Sequence, residues 1–439
     1  MDKPNVVLIS IDSLGANHLG CYGYHRATSP SIDALADEGV LCERLLCPAI
    51  PTLPSYTTLY TGQHPITHRI VSHPCDNELD REAPFLPWLF LQEGYTTCAL
   101  DSLMRTRLWF GRGYEFYIDP SLRHTLLYLM VTCEELNARA IPWLRAHADE
   151  PFFLFIHYWD PHWPFYPPER YRRLFYQGNP TDPDNHSLDA WWAYPTGAAA
   201  RDTWLRTADG LVTDVEYVIA LYDQEIRYLD DGIRDLVSAL DDLGLSENTL
   251  VVFTADHGES MTEHGIYFDH HGLYDCTLHV PLIVRWPGHL PVGVRLPHTL
   301  QVSDIAPTLL EAAGLSVPAA MEGRSFWKML TDEDQAGGHD RVISLECTWQ
   351  AKWSLRTDRY KFILARAPDL YDNPPCELYD LCADPQETRN VAAEQPEVAA
   401  AMEKDLEDWI SERLCALGRD EDPVRAHGTS LRPAWRVFD

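Results

Sequence analysis

The hydrophobic positions of the chain fall into two recurring patterns. Short, nearly continuous apolar runs at Val6–Ile11, Thr96–Leu100, Phe152–Ile156, Leu250–Thr254 and Leu282–Val284 read as strands, most of them buried on both faces. Between them, Val218, Tyr222, Ile226, Leu229, Ile233, Leu236 and Leu240 recur at three- and four-residue steps up to Gly244. That spacing predicts an amphipathic helix with one face on a sheet. Alternating strands and helices predict an α/β fold with a large, mainly parallel central sheet flanked by helices. After about residue 335 the style changes. Val342–Leu345, Trp353–Thr357 and Tyr360–Leu364 read as short strands separated by turns, followed by a helix around Ala399–Leu417. The expectation is a large α/β domain over residues 1–335 and a small α+β domain over 336–439. Residues 163–214, rich in Pro, Trp and Tyr, match no regular element and read as an irregular insertion of the kind that forms lids or specificity loops.

Composition narrows the function classes. With 439 residues, 45% hydrophobic and 23% charged, the chain is ordinary globular material and not collagen-like, coiled-coil or disordered. No apolar stretch approaches the roughly 18–20 residues that span a bilayer, so no membrane partner is expected. Thirty-five basic against sixty-six acidic residues give a net charge of −31 without a basic patch, which argues against nucleic acid as a partner. The N-terminus enters a strand pattern at once, and eleven scattered cysteines without a CxxC pair suit reduced thiols. Both favour a cytoplasmic location. The aromatic and basic run Arg432–Phe438 reads as a docking arm, so a homo-oligomer is expected.

Two acidic positions stand at the ends of predicted strands: Asp12 after Val6–Ile11, and Asp256 with His257 after Leu250–Thr254. Open α/β sheets gather their sites at strand C-termini, and carboxylate oxygens with an imidazole suit a divalent metal. Thr52 precedes Leu53-Pro54-Ser55, where a proline marks the first turn of a helix. Its hydroxyl therefore stands at a helix N-terminus, where free N–H groups favour an anion and a metal would turn the oxygen into a nucleophile.

Several strings, in order, carry a resemblance along almost the whole chain. They are Asp12, Leu19-Gly20-Cys21-Tyr22-Gly23, Thr28 to Ala36, Thr61-Gly62, Asp160-Pro161-His162, Asp256-His257-Gly258-Glu259 and His264-Gly265. Val280 to Ile283, Asp304 to Leu310, Glu377 to Leu381 and Asp384 to Asn390 follow. Together they resemble the sulfatase family of the alkaline phosphatase superfamily. The resemblance implies an alkaline-phosphatase-like sandwich and a metal-dependent hydrolase that passes the acid group of a small anionic ester through a covalent enzyme intermediate. It further implies a metal held by Asp12, Thr52, Asp256 and His257.

The departures from the family pattern are informative. Sulfatases usually carry a Cys-x-Pro/Ala-x-Arg motif whose cysteine becomes formylglycine; counting back from Thr61-Gly62 puts Thr52 there, with Pro54 and Ser55 matching and Tyr56 replacing the arginine. Threonine cannot supply formylglycine. Cys47 lies five residues too far from Thr61-Gly62 and has Pro51 where arginine is required. The lysine and histidine that often follow Gly-Tyr-x-Thr are absent from Asp101-Ser102-Leu103-Met104, and Ser13 and His257 replace the usual second aspartate and asparagine. These changes resemble the phosphonate monoester hydrolase and phosphodiesterase members. One divalent metal is expected, Mn²⁺ or Zn²⁺ ahead of Ca²⁺ or Mg²⁺, because of the imidazole.

The catalytic set expected from the resemblance is Thr52 as nucleophile, His162 as substrate contact, His270 or His271 as general acid, and Tyr56 as a donor to a non-bridging oxygen. A threonyl phosphate can be attacked in line by water, whereas a threonine sulfate must be hydrolysed at sulfur; phosphodiesters or phosphonate monoesters are the expected substrates. The alternatives are a sulfuric ester hydrolase using unmodified Thr52, a phosphotransferase, and an inactive anion- or metal-binding homologue. A two-metal centre would need further ligands; Asp182 and His186 have a suggestive spacing but are expected to face solvent, and His68 and His73 are read as structural.

Overall fold

The computed structural model describes residues 3–123, 131–331, 337–368, 370–371 and 373–430. The C-terminal run Arg432–Phe438 lies outside the described residues. In chain order the strands are β1 (Asn5–Ile11), β2 (Val40–Leu46), β3 (Ala49–Ile50), β4 (Thr96–Leu100), β5 (Phe116–Ile118), β6 (Phe152–Tyr158), β7 (Arg206–Thr207), β8 (Gly210–Leu211), β9 (Thr249–Ala255), β10 (His279–Arg285), β11 (Val294–Gln301), β12 (Arg341–Glu346), β13 (Lys352–Thr357), β14 (Tyr360–Ala365) and β15 (Cys376–Asp380).

Eight strands form the central sheet in the order β11-β2-β10-β9-β1-β6-β4-β5. All neighbours are parallel except β10, which runs against both β2 and β9. The strands with continuous apolar runs occupy the middle: every residue of β1, β6 and β9 is buried. A strand covered by helices on both faces has no solvent side on which to place polar residues. β2 and β11 escape the pattern for a local reason. Glu43 and Arg44 interrupt β2 and reach outward to Arg295 and Asp358, while β11 carries Pro297 and has Val294, Arg295 and Pro297 exposed.

The helix predicted from the Val218–Leu240 spacing spans Val215–Asp242, capped by Asp214, whose side chain accepts from Glu216 N. It buries Tyr222, Ile226, Leu229, Ile233 and Leu236. Its buried acids act on other elements. Asp230 accepts from the N–H groups of Ser31 and Ile32 at 2.8–3.0 Å and so caps the helix Pro30–Asp37, whose own Ser29 makes no capping bond.

The second sheet has the order β15-β14-β13-β12-β3, with the helix Pro396–Ala416 against it. Its last strand comes from far upstream: Ala49 and Ile50 pair in parallel with Leu345 and Glu346, two residues before Thr52. The small sheet therefore holds the chain just before the helix Thr52–Thr61 begins. Residues 163–214 contain two short helices, Asp189–Trp192 and Pro195–Asp202, and the β7–β8 hairpin, while Trp191 packs on Phe268 and Phe165 on Tyr222.

Candidate active site

β1 and β9 run side by side with Ile11 opposite Ala255, so the next residues, Asp12 and Asp256, leave the sheet at the same end. Ser13 adopts φ 58°, turning the chain so that its N–H donates to Asp256 Oδ1 at 3.2 Å. Two residues further along the β9 loop, a Cβ on Gly258 would lie 2.1 Å from the Cys276 carbonyl oxygen, so that loop packs too closely for any side chain.

The imidazole of His257 closes the group. Its Nδ1–H donates to the Gly258 carbonyl at 3.0 Å, which leaves Nε2 as the lone-pair nitrogen. That atom lies 3.2 Å from Thr52 Oγ1, 3.3 Å from Asp256 Oδ2 and 3.8 Å from Asp12 Oδ1. Thr52 is the first residue of the helix Thr52–Thr61 and the one residue of that helix that is not buried. The Ser55 hydroxyl ties the first turn to the Asp256 carbonyl at 2.6 Å. Thr52, Asp12, Asp256 and His257 thus converge.

The electrostatics of this cluster ask for a cation. Burial raises Asp12, but His162, His157 and His257 outweigh it and hold the carboxyl well below its usual range. Burial and the Asp12 charge push Asp256 up instead, and its Oδ2 is buried without a hydrogen-bond partner. Burial also keeps His257 neutral. Two carboxylates, a neutral imidazole lone pair and an orphaned oxygen fit a divalent metal.

Around Thr52 a cleft of about 200 Å³ is walled by Trp159, Trp163, Trp349, His73, His162 and His270. The Nδ1 of His162 is held by the Trp163 carbonyl at 2.6 Å. His270 stacks on His257, ring centroids 4.6 Å apart, with Nδ1 facing Glu259 Oε2 at 3.4 Å. Burial lowers His270 to about 3 and His73 to about 4, so both rings are neutral. His271 differs: both of its nitrogens face carboxylates, Glu346 at 3.1 Å and Asp269 at 2.9 Å. Although burial opposes it, these two acids raise His271 to about 9.

Tyr56 stands apart from the cleft. It is fully buried, its hydroxyl shares a 3.0 Å hydrogen bond with Ser10, and its ring lies edge-on to His157 at 4.8 Å. His157 in turn bonds Asp12 Oδ2 at 3.2 Å. Tyr56 packs against the His157 ring that bonds Asp12, one helical turn in from Thr52. Cys47 is also out of reach, fully buried with its Sγ on the Asp256 carbonyl at 3.0 Å. Asp182 and His186 sit in the surface loop, where His186 pairs with Asp189.

The chain was compared with known proteins. A family model described as Sulfatase matches residues 4–315, and one described as N-sulphoglucosamine sulphohydrolase, C-terminal, matches residues 262–412. The chain belongs to the sulfatase family. Curated relatives include a Delta 4,5-hexuronate-2-O-sulfatase of Bacteroides thetaiotaomicron, 25% identical over 99% of this chain and 93% of the relative. An uncharacterized sulfatase of Escherichia coli is 27% identical over 99% and 91%. Among solved structures, the phosphonate monoester hydrolase of Agrobacterium radiobacter aligns with a TM-score of 0.74 at 23% identity, over 94% of this chain and 96% of that one. The sulfatase-family assignment makes the chain an ester-bond hydrolase of alkaline-phosphatase-like fold, and the family generally binds a divalent metal.

Several residues at this sulfatase-family site were given no role by the sequence. His73, read as structural, forms part of the cleft wall, and His157 reaches Asp12 only because β6 lies beside β1. Glu259, Asp269 and Glu346 become neighbours through loop packing. A larger cavity of about 580 Å³ lies elsewhere, lined by His64, Arg324, His339 and Arg413 among others. It lacks such a cluster: His64 bonds the Ile343 carbonyl, His339 bonds Asp304, and Arg413 pairs with Glu322.

Proposed function

We propose that this protein hydrolyses phosphodiesters or phosphonate monoesters through a covalent Thr52 intermediate, using one divalent metal, Mn²⁺ or Zn²⁺. The observation that carries the reading is the Thr52 hydroxyl at the N-terminus of its helix, 3.2 Å from His257 Nε2 beside the Asp12–Asp256 pair. A divalent cation held by Asp12, Asp256 and His257 would supply positive charge at the nucleophile and the transferred group. The positive end of the helix dipole adds to that charge at the first residue of the helix.

The remaining steps belong to the histidines. With His162 Nδ1–H fixed on the Trp163 carbonyl, Nε2 is the atom left to contact the ester. His270 is the leaving-group residue of this reading: its Nδ1 is turned toward Glu259, and its neutral ring presents Nε2 to the leaving oxygen as a hydrogen-bond donor. His271 is assigned no proton transfer, since Glu346 and Asp269 occupy both of its nitrogens. Among the described residues, the cleft is lined mainly by histidines, tryptophans and threonines with Asp269, and by no lysine or arginine. A diester or phosphonate monoester, with one charge to neutralise, suits such a wall better than a dianionic monoester.

A sulfuric ester hydrolase acting through unmodified Thr52 is the second reading, favoured by curated relatives that are named sulfatases. Mass spectrometry of protein quenched during turnover separates the two. A phosphoryl adduct on Thr52 with a chromogenic phosphodiester is the expected result. A sulfuryl adduct formed only with an aryl sulfate would replace the first reading by the second, and absence of both adducts and turnover would leave an anion- or metal-binding homologue.

A further inference from the structure

We propose that a second divalent cation binds beside the first, held by Glu259, Asp269, His270 and His271. The proposal stands on that cluster's own geometry and does not depend on which ester the cleft takes. The residues come from two passes of the loop after β9, joined by an antiparallel bridge in which Ser260 and Asp269 exchange N–H···O bonds of 2.9 and 3.3 Å. The bridge brings the carboxylate beside Ser260 against the imidazole beside Asp269.

Glu259 is fully buried, with neither carboxylate oxygen in a well-aligned hydrogen bond and the Ser13 side chain as its polar neighbour. A buried carboxylate left without a donor or a counter-charge is costly, and native structures seldom keep one unexplained. His270 Nδ1, 3.4 Å from Glu259 Oε2, is also unbonded and lies 3.9 Å from Asp269 Oδ1. His271 Nε2 completes the group, 2.9 Å from Asp269 Oδ1 yet not aligned for a hydrogen bond. One ligand atom each from Asp269, His270 and His271 lie within 4.8 Å of one another.

The surroundings have the form of an outer ligand shell. Glu346, reaching in from β12, accepts from His271 Nδ1 at 3.1 Å and from Gly272 N at 2.8 Å, which points Nε2 at Asp269. Histidines that bind metals commonly carry such a carboxylate on their other nitrogen. The charge balance agrees. Glu259, Asp269 and Glu346 bring three carboxyl groups to a cluster whose own basic groups are imidazoles. Two carboxylates and two imidazoles suit Mn²⁺ or Zn²⁺. The two clusters touch through the stacked rings of His257 and His270, and a cation on His270 Nδ1 leaves Nε2 to the leaving group.

The test is metal stoichiometry together with anomalous scattering. Chelator-stripped protein is equilibrated with Mn²⁺ or with Zn²⁺, freed of excess, and its metal per chain measured, while crystals grown with each metal locate the peaks. Two equivalents and two peaks are expected in the wild type. Glu259→Gln and Asp269→Asn should each keep one equivalent and the peak at Asp256, whereas Asp256→Asn should keep the peak at Glu259. A single wild-type peak at Asp12, Asp256 and His257 would overturn the second site while leaving the first in place, and so would Glu259→Gln retaining two equivalents. The wild-type map decides even where a variant fails to fold.

Discussion

At the scale of single residues, the Thr52 hydroxyl and the Tyr56 hydroxyl lie one helical turn apart and have opposite fates. Thr52 is the half-buried first residue, facing His257, whereas Tyr56 is sealed against Ser10 and His157. Thr52→Ala is expected to lower turnover by about 10³-fold or more and to abolish the covalent adduct. Thr52→Ser should keep measurable turnover. Tyr56→Phe loses one buried hydrogen bond and no substrate contact. It should cost about 1 kcal/mol in urea unfolding and change kcat less than about fivefold. A large kcat loss with unchanged stability would return Tyr56 to the substrate.

At the scale of elements, the long helix Val215–Asp242 locks the strand-end loops by its buried acids. Asp230→Ala removes the cap of the helix Pro30–Asp37 and is expected to destabilise the protein by about 1–3 kcal/mol in urea unfolding. Glu225 on the same helix faces Asp160 in the loop after β6. Burial raises both, Asp160 to about 7, and they hydrogen-bond each other. Folded values above the unfolded ones mean that this contribution is complete below about pH 4 and fades as pH rises through about 7. The melting temperature should therefore fall between about pH 4 and 7, and Glu225→Gln should flatten that fall. An identical pH profile in the variant would remove the pair from the account.

At the scale of the whole molecule, two features govern behaviour. The first is net charge: at −31 the molecule repels an anionic ester at long range, even where the cleft attracts it. Added salt screens the repulsion, so kcat/KM should rise about two- to tenfold from 20 to 200 mM NaCl. A fall would mean that local attraction dominates the approach. The second is the shared strand. Because β3 pairs with β12 and Glu346 reaches His271, a chain ending at residue 331 should lose both turnover and soluble yield.

What the sequence by itself determined is what local chemistry determines. The central strands β1, β4, β6 and β9 are legible because strands buried on both faces must be apolar throughout, and the long helix because one face must be. Asp12, Asp256 and His257 are legible because strand C-termini gather at one end of a parallel sheet. Thr52 is placed by the proline that opens its helix and by its distance from Thr61-Gly62. Only the tertiary structure decided the rest. Strands β2 and β11 carry charges or proline that longer-range partners satisfy, β3 is two residues long, and β10 runs antiparallel without any mark in its own sequence. Tyr56 became structural because Ser10 and His157 fill the space around its hydroxyl and ring. His157 reaches Asp12 across 145 residues of sequence, and Glu346 reaches His271 across 75. No local pattern encodes such a meeting, because it depends on which surfaces the folded sheets and loops bring into contact.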